Sequence, residues 1–214
     1  MPPLQPRKEL SSLGVKVVKN YVMKQDIILC GVGGQGILSI ATIIGWAALD
    51  QNLQLKQAEV HGMSQRGGDV QSNLRVSDTT INSDLIPRGA CDLIISLEPM
   101  EALRYVPYLA PGGWIITNTQ PFVNIPNYPE MDAVNADLDR VGNVIRLDVD
   151  ALAKEINSPR SANMVLLGAA ASVLQMLTPE LLEDGIKHVF ARKGQAIVDT
   201  NIAAFRAGLE AARK

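Results

Sequence analysis

The stretch CGVGGQG, Cys30 to Gly36, joins the apolar run DIILC to the helix-patterned run ILSIATIIGWAAL. Glycines spaced GxGxxG between a strand and a helix suit the first turn of an α/β unit, because so abrupt a turn favours positions without a Cβ. Gly31 is expected to permit the turn out of the strand and Gly33 to leave room above the helix start. Gly36 is expected to let the helix pack closely on the sheet. Amides exposed at such a helix start suit an anion, and the spacing is also that of dinucleotide sites.

The remaining sequence repeats the same alternation. Short apolar runs at 26–30, 53–60, 72–76, 91–97, 113–118 and 143–149 predict strands, and Ile37–Asp50 and Glu98–Leu109 predict helices. LAPGGWIITNT reads as a helix end, a tight turn and a buried strand. TQPFVNIPNYPEM, with three prolines, reads as a structured irregular loop. From Ser161 onward the sequence is small, apolar and helical, with Thr178, Pro179 and Glu180 forming a good helix start. Gly168 to Ala171 present a face with little bulk, suited to close approach of another backbone in the core or at an interface. The fold class expected is α/β: a Rossmann-like three-layer sandwich with a largely parallel sheet and a helical C-terminal third.

Charge narrows the partners. With 20 basic and 22 acidic residues the net charge is -2, which argues against general affinity for nucleic acid or anionic membrane. The apolar stretches are too short to span a bilayer. Cys30 and Cys91 sit in apolar runs and read as buried hydrophobes in a reducing, cytoplasmic setting. Residues 1–22 show early prolines and no sustained apolar core. They read as an N-terminal arm or a mis-assigned start ahead of Met23, the alternative being a packed helix over Leu10–Val22; the domain proper is 23–214.

A dinucleotide site needs an acidic residue about 20 positions beyond the glycines, at the end of the second strand. Glu59 is near that distance but runs at once into VHGMSQRGGDV, and Asp50 lies earlier, on the preceding helix. His61, Ser64, Gln65, Arg66 and Asp69 are instead packed among Gly62, Gly67 and Gly68, the composition of a recognition loop. His61 suits a hydrogen-bonded loop position. Arg66 suits either a surface ion pair or the grip on a phosphate or a partner's carboxylate. A free-standing Rossmann-like nucleotide-binding protein or dehydrogenase therefore stays open, as does a regulatory module without chemistry.

GVGGQG at the first turn, AEVHGMSQRGG in the loop, the paired glycines of LAPGGWIITN and the late NIAAFRAG occur together and in order. In that combination the chain resembles the gamma-type module of 2-oxoacid:ferredoxin oxidoreductases over roughly residues 24–212. The HGMSQRGG loop is most similar to that of the small beta subunit of indolepyruvate ferredoxin oxidoreductases. The resemblance implies a subunit, inactive alone, of an oxidoreductase that decarboxylates a 2-oxoacid with coenzyme A to acyl-CoA and carbon dioxide while reducing ferredoxin. It implies thiamine diphosphate and iron–sulfur clusters on a large partner subunit in a hetero-oligomer. Two separated cysteines fall short of a cluster's four thiolates, and no GDG segment with a following asparagine is present. No catalytic residue and no metal ligand are assigned to this chain. The ligand-binding candidates are Gly31, Gly33, Gly34, Gln35 and Gly36 in the first turn, with His61, Ser64, Gln65, Arg66, Gly67 and Gly68 in the loop. Coenzyme A suits them, and pure subunit contact is the alternative.

A chain beginning at Met23 is expected to fold with little loss, because Lys24 to Cys30 opens the sheet. Thermal melting checks this: a drop of about ten degrees, several kcal/mol for a domain of this size, would place Leu10–Val22 in the core.

Overall fold

The computed structural model describes residues 23–61 and 68–213. The expectations for residues 1–22, and for Ser64, Gln65, Arg66 and Gly67, lie outside the described residues. Six strands and seven α-helices follow in the order β1 (Lys24–Val32), α1 (Ile37–Asp50), β2 (Gln54–His61), β3 (Asp69–Ser77), β4 (Cys91–Ser96), α2 (Pro99–Arg104), β5 (Leu109–Asn118), α3 (Met131–Asp139), β6 (Val144–Leu147), α4 (Val149–Glu155), α5 (Ala162–Ala171), α6 (Pro179–Phe190) and α7 (Gln195–Ala211).

All six expected strands form one sheet in the order β2-β3-β1-β4-β5-β6. The pairs β1–β4, β4–β5 and β5–β6 are parallel. β3 is the exception, inserted antiparallel between β1 and β2. In a simple Rossmann unit the second strand would lie beside the first. Here the segment after β2 turns back as a hairpin and takes that place.

The sheet is covered on both faces. Ile27 and Leu29 of β1 join a core formed with α1, α5, α6 and α7, while Ile28 and Cys30 join a smaller core with α2 and α3. That is the period-two alternation of a strand buried on both sides. Ile40, Ile43 and Ile44 of α1 are fully buried, each stabilising the fold by about 1.5–3 kcal/mol. In the helical C-terminal third, α6 packs against α1 and α7 against α5.

The small face of α5 is core packing. A Cβ on Gly168 would lie 1.8 Å from the carbonyl oxygen of Phe205, and one on Gly208 would lie 1.8 Å from that of Val165. α5 and α7 thus touch backbone to backbone. The expected helix over 98–109 is shorter: α2 stops at Arg104 and a single 3-10 turn, Val106–Tyr108, leads into β5. Pro107 explains this, since it has no N–H to donate and its ring would meet the carbonyl of Leu103 in a continued helix. β5 accordingly starts at Leu109, opposite Cys91, and shifts register before Trp114 pairs with Leu93. The sequence patterns did not single out α3 or α4. The expected 143–149 strand ends at Leu147 because Asp148 caps α4, its Oδ1 accepting from the Ala151 amide at 2.8 Å.

The register of β3 is held by a buried ion pair. Asp26 and Arg75 stand opposite each other. Arg75 Nε and Nη2 donate to the two carboxylate oxygens at 2.8 and 3.1 Å, and Lys24 Nζ adds a contact at 2.7 Å. The Asp26 side chain is wholly buried. Arg75→Met leaves that carboxylate with only the more exposed Lys24 and is expected to cost about 3 kcal/mol in urea unfolding. Adding Asp26→Asn, which removes the stranded charge, should recover part of the loss; a double variant as unstable as the sum of its parts would disprove the coupling.

Candidate functional site at the carboxyl ends of the strands

β1 ends in the glycine turn, and β3 begins beside it. Val32 pairs with Asp69, and the Gly33 amide donates to the Gly68 carbonyl at 2.9 Å. On the far side of β3, His61 closes β2 opposite Val70. The two motifs picked out in the sequence, separated by α1 and β2 in the chain, thereby meet at one end of the sheet. They do so through β3, and β2 and β1 are not themselves neighbours.

Within the turn, Gly34 and Gly36 have φ of +103° and +87°, values open to glycine and strained for other residues. Gly36 is the N-cap of α1 and makes no side-chain cap. A Cβ there would lie 2.6 Å from Asn163 Nδ2, so its lack of a side chain admits α5 rather than the sheet. This corrects the role expected for Gly36. Asn163 Nδ2 donates to the Gly36 carbonyl at 3.2 Å. Gly31 is crowded by Gln35 Oε1, which would stand 2.8 Å from a Cβ.

Gln35 is occupied inside the protein. Its Oε1 accepts from the Val32 amide at 2.7 Å and its Nε2 donates to the Leu97 carbonyl at 3.2 Å, tying the turn to the end of β4. Among the described residues, the amides of Gly36, Ile37 and Leu38 have no acceptor, and they stand at the positive end of α1.

A cleft of about 410 Å³ opens beside the turn, with Gly34, Gln35, Asn118, Asp150, Arg160 and Asn163 in its wall. Sequence reading missed the last four. Asn118 is a polar residue at the last position of a buried strand, which in parallel sheets is the ligand-facing end. That signal was available. Asn118 Nδ2 donates to Asp150 Oδ2 at 3.0 Å, bracing β5 against α4. Arg160 is exposed, and among the described residues it has no acidic partner. A second hollow of about 290 Å³ lies on the other side of the turn, between Gly33, Leu38 and Val70.

The three-proline loop is structured, as expected, and Glu98 is its anchor. This buried carboxylate accepts from the Glu101 amide at 2.8 Å, capping α2. It also accepts from the Phe122 amide at 3.3 Å and from the Tyr128 hydroxyl. Burial, and then the Glu98 contact, push the Tyr128 pKa up, so the phenol stays a donor. Phe122 and Val123 remain exposed.

The residues do not fit an iron–sulfur cluster. Cys30 and Cys91 are buried in β1 and β4, with burial pushing both thiols up, Cys91 to about 12. No group of three or more metal-ligating side chains occurs among the described residues.

The sequence profile of the pyruvate ferredoxin/flavodoxin oxidoreductase family matches residues 26–211. Indolepyruvate oxidoreductase subunit IorB of Thermococcus kodakarensis is 36% identical over 200 residues, covering 88% of this chain and 96% of that protein. Among solved structures, the gamma subunit of a keto/oxoacid ferredoxin oxidoreductase from Geobacter sulfurreducens superposes with a TM-score of 0.64 at 25% identity, covering 88% of this chain and 98% of that one. The 2-oxoglutarate:ferredoxin oxidoreductase from Magnetococcus marinus, with 2-oxoglutarate, coenzyme A and succinyl-CoA bound, shares the fold at a TM-score of 0.69 and 21% identity over 89% of this chain. This chain spans 31% of that longer one.

Gln35→Ala removes two hydrogen bonds and leaves the Val32 amide unpaired. It is expected to cost about 1–3 kcal/mol and to speed hydrogen exchange at Val32. An unchanged exchange rate would show that the turn holds without the glutamine.

Proposed function

Since the chain belongs to the pyruvate ferredoxin/flavodoxin oxidoreductase family, we propose that it is the small subunit of a 2-oxoacid ferredoxin oxidoreductase, with indolepyruvate or another aryl pyruvate as substrate. The carrying observation is the Gly33–Gly68 hydrogen bond, which joins the glycine turn and the HGMSQRGG loop at the carboxyl end of the sheet beside an open cleft. In this reading the chain works in the cytoplasm and completes the active site of a larger partner subunit. That partner holds thiamine diphosphate and the iron–sulfur clusters and passes electrons to ferredoxin. No step of the oxidation runs through residues of this chain, which alone turns over no 2-oxoacid.

Its own contribution is to bind coenzyme A. The amides at the start of α1 and the guanidinium of Arg66 offer donors to phosphate oxygens. Gly31, Gly33, Gly34 and Gly36 shape the turn, Gln35 braces it, and His61, Ser64, Gln65, Gly67 and Gly68 complete the loop. Such contacts hold a thiol substrate in place while its acyl acceptor end reaches the partner. Residues 23–214 form the domain that does this, and 1–22 an arm outside it.

The test is coexpression with the large subunit and assay with several 2-oxoacids. Arg66→Ala is expected to leave the fold intact and to raise the Michaelis constant for coenzyme A about tenfold to a hundredfold, the worth of a charge-assisted contact. If subunit association weakens instead, the loop serves the interface. Wild-type assembly and wild-type coenzyme A dependence would reject both roles.

A further inference from the structure

Arg160 borders more than the cleft beside the glycine turn. Pro159, Arg160 and Asn163 also line a second cavity of about 500 Å³, so these three residues border both spaces. It runs from Ser39 in the first turn of α1, past the loop before α5, to the corner between α6 and α7. Its wall holds two cations, Arg160 and Lys193, the hydroxyls of Ser39 and Thr200, and the apolar side chains of Phe190 and Ile197.

No acidic side chain lines this cavity. Among the described residues neither Arg160 nor Lys193 has an acidic partner within ion-pair distance. Lys193 lies over the Phe190 ring, its ammonium 5.2 Å from the centroid. Ile197 is 43% exposed, which leaves a large apolar surface open at the same cavity. Two like charges in one concave space raise its positive potential and favour a negative guest. A simple ion would leave the volume and the apolar wall unused, whereas cavities of about 300–1,000 Å³ hold small organic ligands.

We propose that this second cavity is a binding site for an organic phosphate, whose phosphate oxygens lie between Arg160 and Lys193 and whose uncharged part rests against Ile197 and Phe190. An arginine fork matches phosphate geometry, and a lysine supplies a mobile second charge. The Ser39 hydroxyl supplies a further donor, whereas that of Thr200 already donates to the Ala196 carbonyl at 2.7 Å. Two sources carry this chemistry: the nucleotide end of coenzyme A, reaching across from the glycine turn, or a free adenine nucleotide. Only the assignment to coenzyme A rests on the functional reading above.

The experiment is calorimetric titration of the full chain with adenosine 3′,5′-bisphosphate and, separately, with inorganic phosphate. The bisphosphate is expected to bind at least about tenfold more tightly than inorganic phosphate, and Arg160→Gln and Lys193→Gln are each expected to weaken it about tenfold or more. Both side chains are exposed, so circular dichroism should show the fold retained. Competition between the bisphosphate and coenzyme A identifies the nucleotide end of coenzyme A as the guest; simultaneous binding identifies a free nucleotide. Absence of binding at millimolar bisphosphate, equal affinity for inorganic phosphate, or indifference to both substitutions overturns the site. Those failures leave the Arg66→Ala result untouched, so the two readings fall separately.

Discussion

The placement of the candidate site depends on the buried pair of Asp26 and Arg75. β3 has hydrogen-bonding neighbours on both edges, and every one of its side chains would change face if it slipped by one residue. The slip would also strand a carboxylate that has no access to water, which costs several kcal/mol. The bidentate contact at 2.8 and 3.1 Å therefore selects a single register. With β3 so fixed at one end of the sheet, its other end delivers Gly68 to the amide of Gly33.

At that other end, buried and half-buried polar side chains act as staples for loops. Gln35 spans from Val32 to Leu97, Asn118 from β5 to Asp150, and Glu98 from the start of α2 to Phe122 and Tyr128. Glu98 and Asn118 bury a polar group outright and Gln35 does so in part, a cost offset only because their hydrogen bonds are made. The cleft residues are thus held from behind, and Arg160 alone among those named stands exposed and without an acidic partner among the described residues. The same arginine is shared by the adjoining cavity, so one cation borders both spaces.

Close helix packing supports this arrangement from the outside. The backbone contact of Gly168 with α7, and of Gly208 with α5, keeps α5 firmly seated, and α5 carries Asn163 against Gly36. α5 therefore helps shape the start of α1, although the two segments are far apart in sequence.

The sequence by itself determined the elements: six strands, the long helix α1, the helical C-terminal third, and the two glycine-rich segments that end β1 and precede β3. Local causes suffice for these, since apolar periodicity, helix caps and glycines act within a few residues. Tertiary structure alone decided that β3 runs antiparallel between β1 and β2, because a strand of alternating pattern reads the same in either direction. It alone decided that Gly36 gives way to Asn163, 127 residues away, and not to the sheet. It alone gathered Asn118, Asp150, Arg160 and Asn163 into one cleft, because each is an ordinary polar residue until the crossing of β5, α4 and α5 turns it toward the glycine turn.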